Sequence, residues 1–350
     1  MGTDNRSFAI SQLLEPEGTL NRPMALLALI IAIAFPLDSK ADLASNRLLK
    51  TPNLDPLAIL AHTPASQTAY LVPEKTLQVS LSQSLANNFV QSARKGEALW
   101  LDGESSATDV TLSYGLPNNL ELSLAISYLR HSGGRLDKLI NKWHQGFGLP
   151  SGDRHLVADN QLNYRWTENS EDLIHTRSSV SGVGDTVIGL GRNLRTSPGQ
   201  RVTLRWALNL PTGNSDKLIG SGATALSTFL IASRVLHFMP SSSVAHLGVG
   251  ATFANHLAES DIPHRGISAS AYAGLATKVT EQLWLKTRIT YAQGRFNSSI
   301  PELGKGKARL VFGGSFLLTP RRAIDLAVVE DISVGHSPDV SFHASFNARF

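Results

Sequence analysis

His131 and Ser132, adjacent in the stretch HSGG, are the residue types of a general base and a nucleophile. A hydroxyl becomes reactive when an imidazole lies within hydrogen-bonding reach of it. Both residues end a run that alternates like a strand, and strand neighbours point to opposite faces. No acid is fixed beside them by spacing, so they read as polar loop residues and no catalytic residue is assigned. His131, His144 and His155 lack the i,i+4 spacing that brings two imidazoles to one metal, so neither a metal site nor a cofactor is expected. GVGD (182–185) and LPTGNSDKLIGSG (210–222) are rich in glycine but lack phosphate-loop spacing. They read as tight-turn chemistry, glycine supplying positive φ and Asn or Asp local backbone bonds.

The elements that carry these residues alternate with a period of two. In NLELSLAISY the positions Leu120, Leu122, Leu124, Ile126 and Tyr128 share one face, and in RVTLRWALNL Val202, Leu204, Trp206, Leu208 and Leu210 do. Such alternation marks strands with unlike faces. The runs reach ten residues or more. Soluble strands average about 5–6, whereas membrane strands need about 9–11. Connections alternate between tight turns (GLPNN, TENSE, TSPGQ, VTEQ, LTPRR) and long loops, the habit of outer-membrane barrels. The expected fold is all-β: a transmembrane antiparallel up-and-down barrel of about 14 strands, with twelve as the alternative.

With the apolar face outward, parity turns Glu121, Arg165, Arg205, Lys286, Arg288, Arg309, Asp325, Asp331 and Arg349 into a lumen. The last strand, DVSFHASFNARF, alternates to the end of the sequence. Its Phe346 and Phe350 resemble the C-terminal signal by which bacterial outer-membrane barrels engage the assembly machinery, here the expected partner besides outer-membrane lipid.

Composition agrees. Hydrophobic residues make up 42% and charged residues 17%, the latter below the roughly 25% of soluble proteins. The net charge is only +4 and basic residues are dispersed, so nucleic-acid binding is not expected. Absence of cysteine excludes disulfides, thiol chemistry and a lipoprotein anchor. Arg22, the apolar run from Met24 to Phe35 and the small residues Ser39 and Ala41 make a secretory signal peptide, too short to span as a helix. The expected organisation is a signal peptide over 1–41, an extended periplasmic leader or plug over 42–73, and a barrel over 74–350 in the bacterial outer membrane. Within 131–153, Leu136, Leu139, Ile140, Trp143 and Phe147 fall at helical spacing, an amphipathic helix for the barrel mouth.

GEALWLDGE, HSGGRLDKLINKWHQGFGLPSGDR, GVGDT and LPTGNSDKLIGSG resemble the segments of a proteobacterial family, domain of unknown function 3187, from about Asn53 to Phe350. The resemblance implies a signal peptide and an outer-membrane-type barrel, and it carries no established activity. The matching positions are His131, Gly133, Gly134, Asp137, His144, Gly148, Pro150, Gly184, Asp185, Pro211, Gly213, Asp216, Lys217 and Gly222. The expected function is a passive pore or small-solute channel. The alternatives are a non-conducting barrel that presents surface loops and, less favoured, a lipid-acting barrel enzyme.

Overall fold

The computed structural model describes residues 47–62, 64–65, 67–136, 142, 146, 158–237, 239, 242–255, 262, 264–332 and 338–350. The expected signal peptide, Asp137, His144, Gly148, Pro150 and most of the amphipathic stretch after Leu136 lie outside them.

Fourteen strands form among the described residues. They are β1 (Leu77–Arg94), β2 (Glu97–Leu116), β3 (Leu120–Ser132), β4 (Asn163–Glu168), β5 (Glu171–Thr176), β6 (Val180–Ser197) and β7 (Gln200–Leu210), then β8 (Ala225–Leu236), β9 (Ser243–Ala254), β10 (Ile267–Lys278), β11 (Leu283–Ala292), β12 (Lys307–Thr319), β13 (Arg322–Asp331) and β14 (Val340–Arg349). Twelve close into an antiparallel ring, in which β3 pairs with β6, β2 with β1, and β1 with β14. β4 and β5 were expected as wall strands, and the structure corrects this: β4 pairs with β2 over Glu97–Asp102, beyond the stretch that β3 occupies, and β5 pairs with β4. The TENSE turn therefore belongs to a pendant hairpin.

Alternation around the ring resolves into a lipid-facing and a lumenal surface. Leu122, Leu124, Leu190, Leu230, Leu247, Leu285, Phe316 and Leu326 are exposed on the outside. On β7 the outward Val202, Leu204, Trp206, Leu208 and Leu210 are half-buried while Thr203, Arg205, Ala207 and Asn209 are buried. An exposed apolar band on a closed ring is stable only against hydrocarbon.

One rim carries the turns at 117–119, 198–199, 279–282 and 320–321, together with the start of β1 and the end of β14. The other carries the connections 211–224, 255–266, 293–306 and 332–339. β1 and β2 overshoot this second rim and join through Lys95 and Gly96, whose φ values of 50° and 83° suit a type I′ turn. There β1, β2, β4 and β5 make a small sheet. Its Val90, Leu99, Leu101, Tyr164, Trp166 and Ile174 pack with Leu218, Ile262, Phe296, Ile300 and Leu303 from three long connections into the largest apolar cluster. A short helix in the last of these, Pro301–Gly304, supplies Leu303.

That cluster is completed from within the barrel by α1 (Pro56–Leu60), through Leu57, Leu60 and Ala61. Asp55 caps α1 by accepting from Leu57 N at 2.9 Å, and Pro56 fits the first turn, where no N–H is needed.

Candidate functional site

The described residues of 47–73 lie against the inward face of the barrel wall. Arg47 donates to Gln78 Oε1 at 3.0 Å and Val72 N donates to Glu121 Oε2 at 2.6 Å, so both ends of the segment sit at the short-turn rim. Between them α1 reaches the opposite mouth. The segment therefore enters, rises through the lumen and returns.

Its anchors are mostly hydrogen bonds to main-chain carbonyls. Arg205 on β7 donates to Thr68 O at 2.7 Å and Tyr70 O at 3.2 Å, and pairs with Glu121 Oε1 at 2.7 Å. Thr203 donates to Ala69 O and Tyr272 to Gln67 O, each at 2.6 Å. On β11, Arg288 donates to Leu49 O, and to Thr51 Oγ1 at 2.7 Å. Lys307 pairs with the buried Asp55 at 2.6 Å. A chain without regular structure must place its carbonyls somewhere, and guanidinium and hydroxyl donors meet that requirement here.

The segment leaves part of the lumen empty. A cavity of about 310 Å³ lies between it and the wall, bordered by β11–β14, β1–β3, β6 and β7. Ser80, Ser82, Thr111, Ser113, Ser123 and Ser127 supply hydroxyls along β1, β2 and β3. Asp109 accepts from Ser82 at 3.2 Å and from Ser127. Asp325 accepts from Ser315, and from Ser345 at 3.2 Å and Asn347 at 3.0 Å, while Lys286 reaches Ser315 Oγ at 2.5 Å. The surface suits a small polar solute.

Glu121, Arg205, Lys286, Arg288 and Arg349 are buried on inward positions, and Asp325 borders the cavity. Arg309 and Asp331 stand opposite each other on β12 and β13. Arg349 donates to Gln78 Oε1 at 3.0 Å near the short-turn rim. Arg165 differs: it sits on pendant β4 and pairs with Asp172 at 2.6 Å on a half-exposed surface, where that hydrogen bond holds the Asp172 carboxyl below its ordinary value. Its alternation belongs to the sheet over the mouth, whose inner face carries Tyr164 and Trp166. Sequence parity missed Asp109, Tyr272, Lys307 and the docked segment. Tyr272 has a signal in hindsight, because the exposed Ile267 fixes the outward face of β10 and leaves Tyr272 inward.

The family-motif positions shape the long-loop rim. Asp185 accepts from Asn209 Nδ2 at 2.8 Å, Gly213 N at 3.0 Å, Ser221 N at 2.9 Å and Ser221 Oγ at 2.6 Å, tying 211–224 down to β6. A Cβ on Gly213 would lie 2.7 Å from Ile219 O. Gly184 lies against Ile219 O and Leu129, and Gly222, with φ of 64°, packs on Ser215. Pro211, Asp216 and Lys217 are exposed. Gly133 abuts Asn160 O, where a Cβ would come within 2.1 Å.

His131 does not face Ser132. Its Nε2 donates to Leu218 O at 2.9 Å, which leaves Nδ1 to accept from Ser105 Oγ at 2.9 Å. Asn88 and Tyr164 complete this network, and Ser105 and His131 are fully buried. A substrate has no route to them in this structure. Among the described residues no cluster of three or more His, Asp or Glu side chains is placed to hold a metal ion.

The family model described as "Protein of unknown function (DUF3187)" matches residues 25–350. None of the curated proteins compared matches this chain. Among solved structures, the COG4313 outer membrane channel from Pseudomonas putida F1 is similar at 13% identity and a TM-score of 0.54, covering 81% of this chain and 99% of that one. The NanC porin matches at 7% identity and a TM-score of 0.43, covering 77% and 98%. At 13% identity the likeness to the COG4313 channel establishes the barrel fold alone.

Proposed function

The chain belongs to the DUF3187 family, and we propose that it is an outer-membrane channel for small polar solutes, exported by the signal peptide at its N-terminus. The observation that carries this reading is the lumen: a cavity of about 310 Å³ with hydroxyls along β1, β2 and β3, beside a segment whose main-chain carbonyls accept hydrogen bonds from the wall. Such contacts exchange for water or solute at modest net cost, on the order of 1 kcal/mol each. The likeness to a solved outer-membrane channel supports the reading at the level of fold.

Liposome swelling with the folded chain tests it. Entry of small sugars, at a rate that falls with sugar size, is the expected result. A barrel that folds, shown by altered migration when unheated, and admits no solute would overturn the reading. Two observations favour a non-conducting barrel: Tyr164 and Trp166 are fully buried in the apolar cluster at the long-loop mouth, and the inserted segment buries Leu48, Leu49, Leu54, Leu57 and Leu60 in apolar clusters. Complete absence of swelling is what that alternative requires.

A further inference from the structure

Most inward cations have a carboxylate to answer them. Arg205 has Glu121, Lys307 has Asp55, Arg309 stands opposite Asp331, and Lys286 is linked to Asp325 through Ser315. Arg288 stands apart from these, as do Arg47 and Arg295, whose acceptors are also neutral. Arg288 is 3% exposed, and among the described residues no carboxylate forms an ion pair with it. Among the described residues its acceptors are two neutral ones from the inserted segment, Leu49 O and Thr51 Oγ1, and its buried Nε has no hydrogen-bond partner.

A buried guanidinium without an anion is costly, and a fold has little reason to keep one for stability. Its planar fork matches a carboxylate in two-point geometry. Same-face neighbours strengthen the match: Lys286 lies two residues away on β11, and Arg309 is the diagonal neighbour on β12, about 7–8 Å distant. The cavity reaches Lys286, and Leu48 and Lys50, which flank Leu49, line it; Arg288 itself lies off the cavity, behind the segment.

We propose that Arg288 is the anion-recognition residue of the lumen, taking small organic carboxylates, and that Leu49 O and Thr51 Oγ1 occupy its fork until a solute displaces them. This deepens the channel reading and rests on it, naming the solute class. Displacement is an exchange of ligands. A charged acceptor replaces two neutral ones on the same donors, so bound carboxylate and docked segment compete.

The test is binding, which does not require conduction. Gluconate and its neutral counterpart sorbitol are equilibrated by dialysis against the detergent-solubilised full chain. Gluconate should bind and sorbitol should not. Arg288→Gln should weaken gluconate binding about tenfold, the loss of one charge-assisted contact. Arg288→Lys, which keeps the charge without the fork, should fall between the two. Thr51→Val, which removes a competing acceptor, should tighten binding and serves as a variant outside the barrel strands if Arg288→Gln fails to fold. Equal retention of sorbitol and gluconate, or gluconate binding unchanged in both Arg288→Gln and Thr51→Val, overturns the proposal. A chain that binds gluconate in this pattern yet passes no solute would contradict the channel and leave the site standing.

Discussion

Leu77 and Phe350 hold each other by two backbone bonds, Phe350 N to Leu77 O at 2.9 Å and Leu77 N to Phe350 O at 3.1 Å. They fasten the last strand to the first at the short-turn rim, so the terminal aromatic is part of the seam. Deleting Phe350 removes both bonds and shortens the segment proposed to engage the assembly machinery. Its level in the outer-membrane fraction, followed by immunoblot, should drop several-fold. An unchanged level would contradict that role.

Leu326 is 60% exposed on the outer face of β13, paired with Gly314 and Ala344 in mid-strand. Against hydrocarbon, Leu326→Arg should cost about 2–4 kcal/mol. The measurement is a urea titration of folding into lipid vesicles. A loss below about 0.5 kcal/mol, as is usual for a water-facing surface site, would argue that this face does not meet lipid.

Gly134 has φ of 73°, and a Cβ there would lie 1.7 Å from the Glu104 carboxyl carbon. Glu104 in turn accepts from the backbone N–H groups of Arg135 and Leu136, closing the start of the 133–162 connection. Gly134→Ala should therefore loosen this connection, at a cost of about 1–3 kcal/mol. Limited proteolysis should show faster cleavage between 133 and 162, with the barrel core intact. Identical cleavage in the parent and the variant would count against the anchor.

His62, just beyond α1, is enclosed by the barrel although its ring borders the cavity. Desolvation lowers its pKa to about 4, with Asp185 opposing and Arg295 reinforcing. In a released segment the value returns to about 6.5. The docked form thus binds fewer protons, so its stabilisation is complete above about pH 6.5 and lost as pH falls toward 4. Protease cleavage within 47–73 should be faster at about pH 5 than at about pH 7.5. His62→Gln should flatten that difference, and an equal pH response in the variant would contradict the assignment.

The ring was legible because lipid outside and water inside impose one parity on every wall strand, and Leu122, Leu204 and Phe346 display it. Alternation reports a strand's faces without naming its partner. The pendant pair therefore read as wall, and Arg165 was assigned to the lumen with it. The path of 47–73 was illegible for another reason. Arg205, Thr203, Tyr272 and Arg288 bind mainly its carbonyls, which every residue possesses, and its buried Leu48, Leu49, Leu54, Leu57 and Leu60 follow no regular period that would show their packing. Asp185 was visible as a motif residue, but its four donors come from three residues, Asn209, Gly213 and Ser221, and only folding assembles them.

The central claim is a solute channel occupied by its own N-terminal segment, and single-channel conductance tests it most directly. Arg205→Ala combined with Glu121→Gln removes the bonds to Thr68 O and Tyr70 O without stranding a buried carboxylate. In planar bilayers the parent should show small, infrequent openings and the double variant larger or longer ones. Silence from both, with each shown to be folded by its unheated migration, would contradict the account.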